Sequence, residues 1–463
     1  MRIEPRRSWA TAGYLALCLL LGGASARGAG VIGNAFLQIL AILIIFGGLL
    51  SRRTPELPRG ARPILLIFGA YLLFVVLSLV PLPAEVWRSL PGREGIAYGY
   101  DLLALPSPAL PLSLSWQQSL ASIMWLLPPT AIFLLVSRAS PRERGRLLWL
   151  ILVICAVSIV LGVAQLLGGE NSALRFYEIT NRTQPVGFFS NANHFAIMLV
   201  SALPLAGYVA GRSVSSRGSR AERSSSLVMA GAVGLFLLCG IGTVGSIAGY
   251  GLALPAALAA FLIYRKAAYG KIGLVWGGAA ALLFASFIGI AFAGPLNNER
   301  LSEELSGAPA SRAYIARTTL KGIAETFPVG TGLGTFQEIY RTQDDPYRVS
   351  REYVNHAHND YLEIVLELGV AGLLLLLAFF AWFVTRSIAA WRASFEGTGL
   401  ARAGSVIVFI VLLHSVVDYP LRTSAVAALF AFACALLVPY LKPRPSEAPA
   451  TSSGEGLRHL KAD

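Results

Sequence analysis

Twelve apolar runs, each near the roughly 20 residues that a helix needs to cross a bilayer, divide this chain and leave it little else to become. They lie near 9–25, 31–50, 62–82, 117–137, 145–168, 189–211, 226–244, 246–264, 271–293, 361–385, 402–417 and 423–441. Only 14% of the 463 residues are charged, against about 25% in a soluble domain, so one aqueous core cannot hide the apolar side chains. The expected fold is an all-α integral membrane protein of about 12 transmembrane helices.

Charge gives the direction of the helices. Lys and Arg gather in alternate connections: Arg52, Arg53, Arg59 and Arg62; then Arg138, Arg142, Arg144 and Arg146; then Arg212, Arg217, Arg220 and Arg223; then Arg265, Lys266 and Lys271. By the positive-inside rule these connections and both ends of the chain are cytoplasmic. The net charge of +13 is therefore a topology signal, and no nucleic-acid partner is expected. Residues 1–150 read as N-terminal membrane helices. Residues 151–441 read as a second membrane region with a long outer loop, 294–360, between helices nine and ten; the polar, Pro-containing tail 442–463 reads as disordered and cytoplasmic. Segment 1–27 has a competing reading as a cleaved signal peptide, because Arg2, Arg6 and Arg7 precede a short apolar stretch ending in Ala24-Ser25-Ala26. Cys18, Cys155, Cys239 and Cys434 fall in apolar runs without zinc-site spacing, so free, buried thiols are expected.

Polar chemistry collects on the outer side. The connection 83–116, with Trp87, Tyr98, Tyr100 and Trp116, suits a segment lying at the membrane interface. The connection 169–188 carries Arg175, Tyr177 and Arg182 ahead of Asn191, Asn193 and His194. The stretch 312–334 reads as a short amphipathic helix ended by Pro328 and a glycine turn. Arg312, Arg317 and Lys321 give it cationic groups, and Arg317 and Lys321 share one face; a solvated face is the alternative. The glycine turn follows a helix rather than a strand and lies outside the cytoplasm, which sets nucleotide binding aside. His356 and His358 would point to one side of an extended segment. With Asp360 they leave three readings open: a metal site, interfacial hydrogen bonding, or proton transfer by a group whose reference pKa is near neutral. Glu363 and Glu367 lie one turn apart on the next helix, where an ionisable group needs a cavity or a partner. His414 and Asp418 form another i, i+4 pair.

Together these pieces resemble the O-antigen ligase and O-antigen polymerase superfamily of bacterial envelope glycosyltransferases. The matching residues are Arg182 ahead of Gly187-Phe188-Phe189-Ser190-Asn191-Ala192-Asn193; Arg312 ahead of Pro328 and the turn Gly330 to Gly334; His358-Asn359-Asp360-Tyr361-Leu362 followed by Glu367-Leu368-Gly369; and His414 through Leu421. Relatives often carry a Ser-Arg pair after the seventh helix, whereas here Ser246 is followed by Ile247. The resemblance implies a GT-C-like, inverting, metal-independent transferase without a cofactor. It would move an undecaprenyl-diphosphate-linked glycan to an acceptor sugar on a glycolipid or glycan, at the periplasmic face of the inner membrane. On it, Arg182 and Arg312 would offset the charge of the diphosphate, and His358 would take the acceptor proton with His356 as the reserve. Asn193, Asn359, Arg317, Lys321 and Glu367 would join His356 around the substrates. A polymerase of the same superfamily fits these residues as a ligase does. A transporter or flippase for a lipid-linked glycan is the alternative of another class; it would favour internal repeats and broken helices near the midplane, and the sequence has no convincing repeat.

Overall fold

The computed structural model describes residues 4–24, 30–51, 55–215, 219–269, 311–347, 354–393 and 398–439. The helices are α1 Glu4–Leu21, α2 Val31–Leu50, α3 Arg62–Leu77, α4 Ala84–Trp87, α5 Glu94–Leu102, α6 Trp116–Trp125, α7 Leu127–Ser137 and α8 Pro141–Leu167. After them come α9 Ala192–Ser215, α10 Arg220–Val244, α11 Ile247–Tyr269, α12 Arg312–Thr326, α13 Phe336–Gln343, α14 Asp360–Arg392, α15 Thr398–His414 and α16 Ser424–Leu436. Among the described residues the only sheet is one antiparallel pair, Pro81–Leu82 with Leu110–Pro111, so the extramembrane part departs slightly from an all-α description.

This is a mostly helical, multi-pass membrane protein, but fewer described helices have full spanning length than the sequence predicts. Eight spans are long and apolar enough to cross a membrane, and α15, α16 and the Ser8–Leu21 part of α1 are shorter apolar helices. The predicted run 271–293, the start of the long loop and the tail 442–463 lie outside the described residues. Run 117–137 is divided into α6 and α7 at Leu126.

Burial sorts the helices into centre and rim. α9 is buried along most of its length and packs against α10, α11 and α15, while α16 packs against α1, α7 and α15. Small residues allow the close approaches: a Cβ at Gly207 of α9 would lie 2.4 Å from Ala260 O of α11, the kind of contact that draws helices together where lipid supplies no hydrophobic drive. Ile32, Leu50 and Leu66 on α2 and α3 turn outward and are exposed, as a lipid-facing rim requires. Cys18, Cys155 and Cys434 are free and buried, whereas Cys239 is exposed on α10, against the expectation of burial.

Two polar devices position the site end of the bundle. Asn359 caps α14, accepting from the N–H groups of Tyr361 and Leu362 while its Nδ2 donates to Val416 O at 2.9 Å. Farther along, α14 is broken at Gly369 (φ 57°, ψ −136°), where Val370 N donates to Pro328 O at 2.9 Å. The turn Gly330–Gly334 is thereby seated against α14, and Leu114 N donates to Thr331 O from the interfacial segment on its other side.

Candidate active site

The N-terminal ends of α9, α12 and α14 converge with the turn between α15 and α16 on the carboxylate of Asp418. Asn193, on the first turn of α9, donates Nδ2 to Asp418 Oδ2 at 2.8 Å and accepts at Oδ1 from Ser246 Oγ at 2.7 Å. His358 Nδ1 lies 3.4 Å from Asp418 Oδ1, His194 Nε2 3.9 Å from the same oxygen, and an Arg312 Nη 4.0 Å from Oδ2. His358 holds φ at +49°, a left-handed conformation uncommon for a side chain of its size, and this turns its ring toward Asp418 while Asn359 starts the helix.

Asp418 is fully buried. Burial alone would push its carboxyl up, but the contact with His358 and the neighbouring His194 and His414 outweigh it and hold the group well below the usual carboxylate range. Tyr419 stands in the middle of the histidines, its ring centroid 5.1 Å from that of His194, 4.4 Å from His356 and 4.8 Å from His358.

The two histidines of the His-Ala-His segment use different acids. His356 Nδ1 is 2.8 Å from Glu363 Oε1, and Ala357 N donates to Glu363 Oε2 at 2.9 Å. His358 alone of the two faces Asp418, and its side chain is 24% exposed, so it remains reachable from outside the protein. Among the described residues no group of three or more His, Cys, Asp and Glu is arranged to hold a metal ion.

The other predicted site residues are dispersed. Arg182 stands on the loop between α8 and α9, where its guanidinium donates to Glu178 O at 3.2 Å; no described ion pair joins it to Asp418. Arg175 braces that loop instead, donating to Asn181 O at 2.7 Å and Gln184 O at 3.0 Å. Arg317 and Lys321 lie on the exposed face of α12, opposite the buried Ile315, Thr318 and Thr319. Asn359 is occupied as the cap of α14. Glu367 is fully buried and accepts from Gly334 N at 2.9 Å, so it faces protein rather than open space.

Several residues at the centre escape a reading by sequence. Asp418 is visible there as a partner of His414, yet the imidazole of His414 makes no hydrogen bond among the described residues; its carbonyl accepts from Asp418 N at 3.0 Å. Tyr419 and Ser246 enter there only within stretches compared with the superfamily, without a role of their own. Arg422 is missed altogether: it lies 3.6, 3.5 and 3.4 Å from the carboxylates of Asp360, Glu363 and Glu367. Burial works against its charge, and the three acids outweigh this and raise its pKa.

A comparison with curated proteins gives no match. Residues 229–377, which run from α10 into α14 and hold Arg312, His356, His358 and Glu367, match the family model described as O-antigen ligase, and the match over that stretch supports a place in the O-antigen ligase superfamily.

Proposed function

We propose that this protein transfers a glycan from an undecaprenyl-diphosphate carrier to a sugar hydroxyl of an acceptor glycolipid or glycan, at the periplasmic face of the inner membrane, with inversion and without a metal. The family supports a glycosyltransferase-type role in polysaccharide assembly. The observation that carries the finer reading is the convergence of His358, His194, Asn193 and Arg312 on the one buried carboxylate of Asp418.

A sugar hydroxyl is a weak nucleophile, so its proton must leave as its oxygen attacks the anomeric carbon. With Nδ1 turned to Asp418, His358 has Nε2 available to take that proton, and the carboxylate stabilises the imidazolium that results. The anomeric carbon–oxygen bond breaks as the new one forms, and the electron pair leaves with the diphosphate. A guanidinium offsets the negative charge that develops there, and among the described residues Arg312 is the arginine that lies within 4.0 Å of His358's acid. Arg182 would reach the donor from the loop between α8 and α9, with Arg317 and Lys321 on the approach.

The test is transfer by detergent-purified protein, supplied with membranes from a strain lacking the gene and read on a gel. Wild type should act with or without EDTA. His358→Ala should lower the chemical step by about 10²- to 10⁴-fold, and His356→Ala by less. An active His358→Gln enzyme would overturn the assignment of the base. A flippase would add no transfer beyond that of the membranes alone once they are dissolved in detergent, since no bilayer then separates two compartments.

A further inference from the structure

The turn that brings Asp418 to His358 ends in a second charged residue, for which the chemistry above has no task. Arg422 closes the short 3-10 helix Pro420–Arg422, and its guanidinium faces Asp360, Glu363 and Glu367 together. These acids occupy positions i, i+3 and i+7 of α14, one face of the helix, and none is more than 3% exposed. Three buried carboxylates gathered around one guanidinium repel one another where they are ionised. The arrangement needs a cation among them, and a planar fork of five N–H donors serves several acceptors where an ammonium serves as a point charge.

Each of the three acids also holds a different part of the site. Asp360 Oδ2 accepts from Ser415 Oγ at 2.8 Å, at the start of the turn that carries Asp418. Glu363 holds His356 and the N–H of Ala357, the two residues before His358. Glu367 holds Gly334 N and so the glycine turn. A single guanidinium thus ties together the acid's turn, the segment bearing the base and the loop after α12.

We propose that Arg422 is a positioning residue for glycan transfer: through Asp360, Glu363 and Glu367 it fixes segment 355–359, and with it His358, in register with Asp418. It touches neither substrate. The proposal rests on the reading of His358 as the base, so its test includes a measurement that needs no substrate. Arg422→Lys keeps a charge but loses the fork. Turnover should fall about 10-fold or more, while the apparent KM for acceptor-bearing membranes stays within about 2-fold. Diethyl pyrocarbonate, with modification of His356 and His358 read by peptide mass spectrometry, should react at least about 3-fold faster with His356 in the variant than in wild type. A residue that only supports folding would lower the yield of folded protein but leave turnover per folded molecule and histidine reactivity unchanged. Wild-type turnover and wild-type His356 reactivity in folded Arg422→Lys would overturn the proposal. If that variant does not fold, Arg422→Gln paired with Glu367→Gln removes the cation and one of the repelling charges, and the same two readings decide. If wild type transfers no glycan, the reading of function fails, and the reactivity of His356 alone decides the role of Arg422.

Discussion

Asn193 gives the clearest case of one atom holding a buried carboxylate in place. Its Nδ2 is the sole amide donor placed 2.8 Å from Asp418 Oδ2 among the described side chains, and Asn193→Asp would replace that donor with a second carboxylate at the same separation. Two carboxylates so close cannot both stay ionised, and the pair would share a proton. The signs of the pH dependence are opposite. In wild type the depressed Asp418 contributes stability above the unfolded carboxylate's pKa, and that contribution is lost as pH falls through the folded value. In the variant the folded state keeps a proton that the unfolded chain gives up, so its stability should improve as pH falls from 7.5 toward 5.5. Thermal unfolding in detergent should show a deficit of about 3 kcal/mol at neutral pH that shrinks on acidification, and a deficit constant with pH would refute the shared proton. Sequence alone makes His358, Arg312 and Asn193 candidates, because residue type and local motif survive without a fold. It could not join Asn193 to Asp418, 225 positions away, since that pairing is made only when α9 and the turn after α15 pack end to end. Arg182 and Arg175 illustrate the same limit: both are arginines on one loop, and only the fold shows that Arg175 is spent on bracing it.

Hydropathy finds helices but not the places where they break. Residues 361–385 form one apolar run, so a window average sees nothing at Gly369, although the backbone there takes φ 57° and ψ −136°, a region open essentially to glycine alone. A Cβ at this position would lie 2.1 Å from Pro328 O. The break therefore serves the docking of the turn after α12, which in turn holds Glu367 by Gly334 N. Gly369→Ala should lower stability by more than about 2 kcal/mol, from backbone strain and steric overlap together. Its control is Gly231→Ala in α10, where a Cβ would meet nothing within 4 Å and where alanine favours the helix by up to about 1 kcal/mol. Thermal unfolding of the two variants would settle the point, and equal melting temperatures would mean that the break at Gly369 is not required. The division of run 117–137 into α6 and α7 at Leu126 falls just before Pro128 and Pro129, which lack the N–H groups that would continue the helix ladder, a signal that a hydropathy average does not register.

Viewed whole, the molecule has two unlike ends. One gathers the acids and histidines around Asp418 and Arg422. At the other, arginines cap the carbonyls at helix C-termini: Arg402 Nε donates to Ala390 O of α14 at 3.2 Å, Arg386 Nε to Leu437 O after α16 at 3.1 Å, and Arg144 to Ser137 O of α7 and Val438 O, both at 3.1 Å. Cations near helix C-termini are favoured by the unpaired carbonyls and the helix dipole. Arg144 belongs to one of the basic connections read from the sequence, and Arg138 of that connection donates to Pro55 O beside another at 3.0 Å, so the positive-inside rule applied to this end favours one orientation. On the proposed topology the arginine end is cytoplasmic and the Asp418 end periplasmic, where the proposed lipid-linked donor would meet its acceptor. Single cysteines introduced by Ser350→Cys, in the long loop, and Ser216→Cys, in a basic connection, probe the two ends; both positions lie outside the described residues. Cys239 is exposed, so the background should carry Cys239→Ser. An impermeant maleimide should label the cysteine at 350 in intact cells and the one at 216 only after permeabilisation. The reverse pattern would turn the molecule over, place His358 and Asp418 on the cytoplasmic side, and remove the proposed donor from reach of the site.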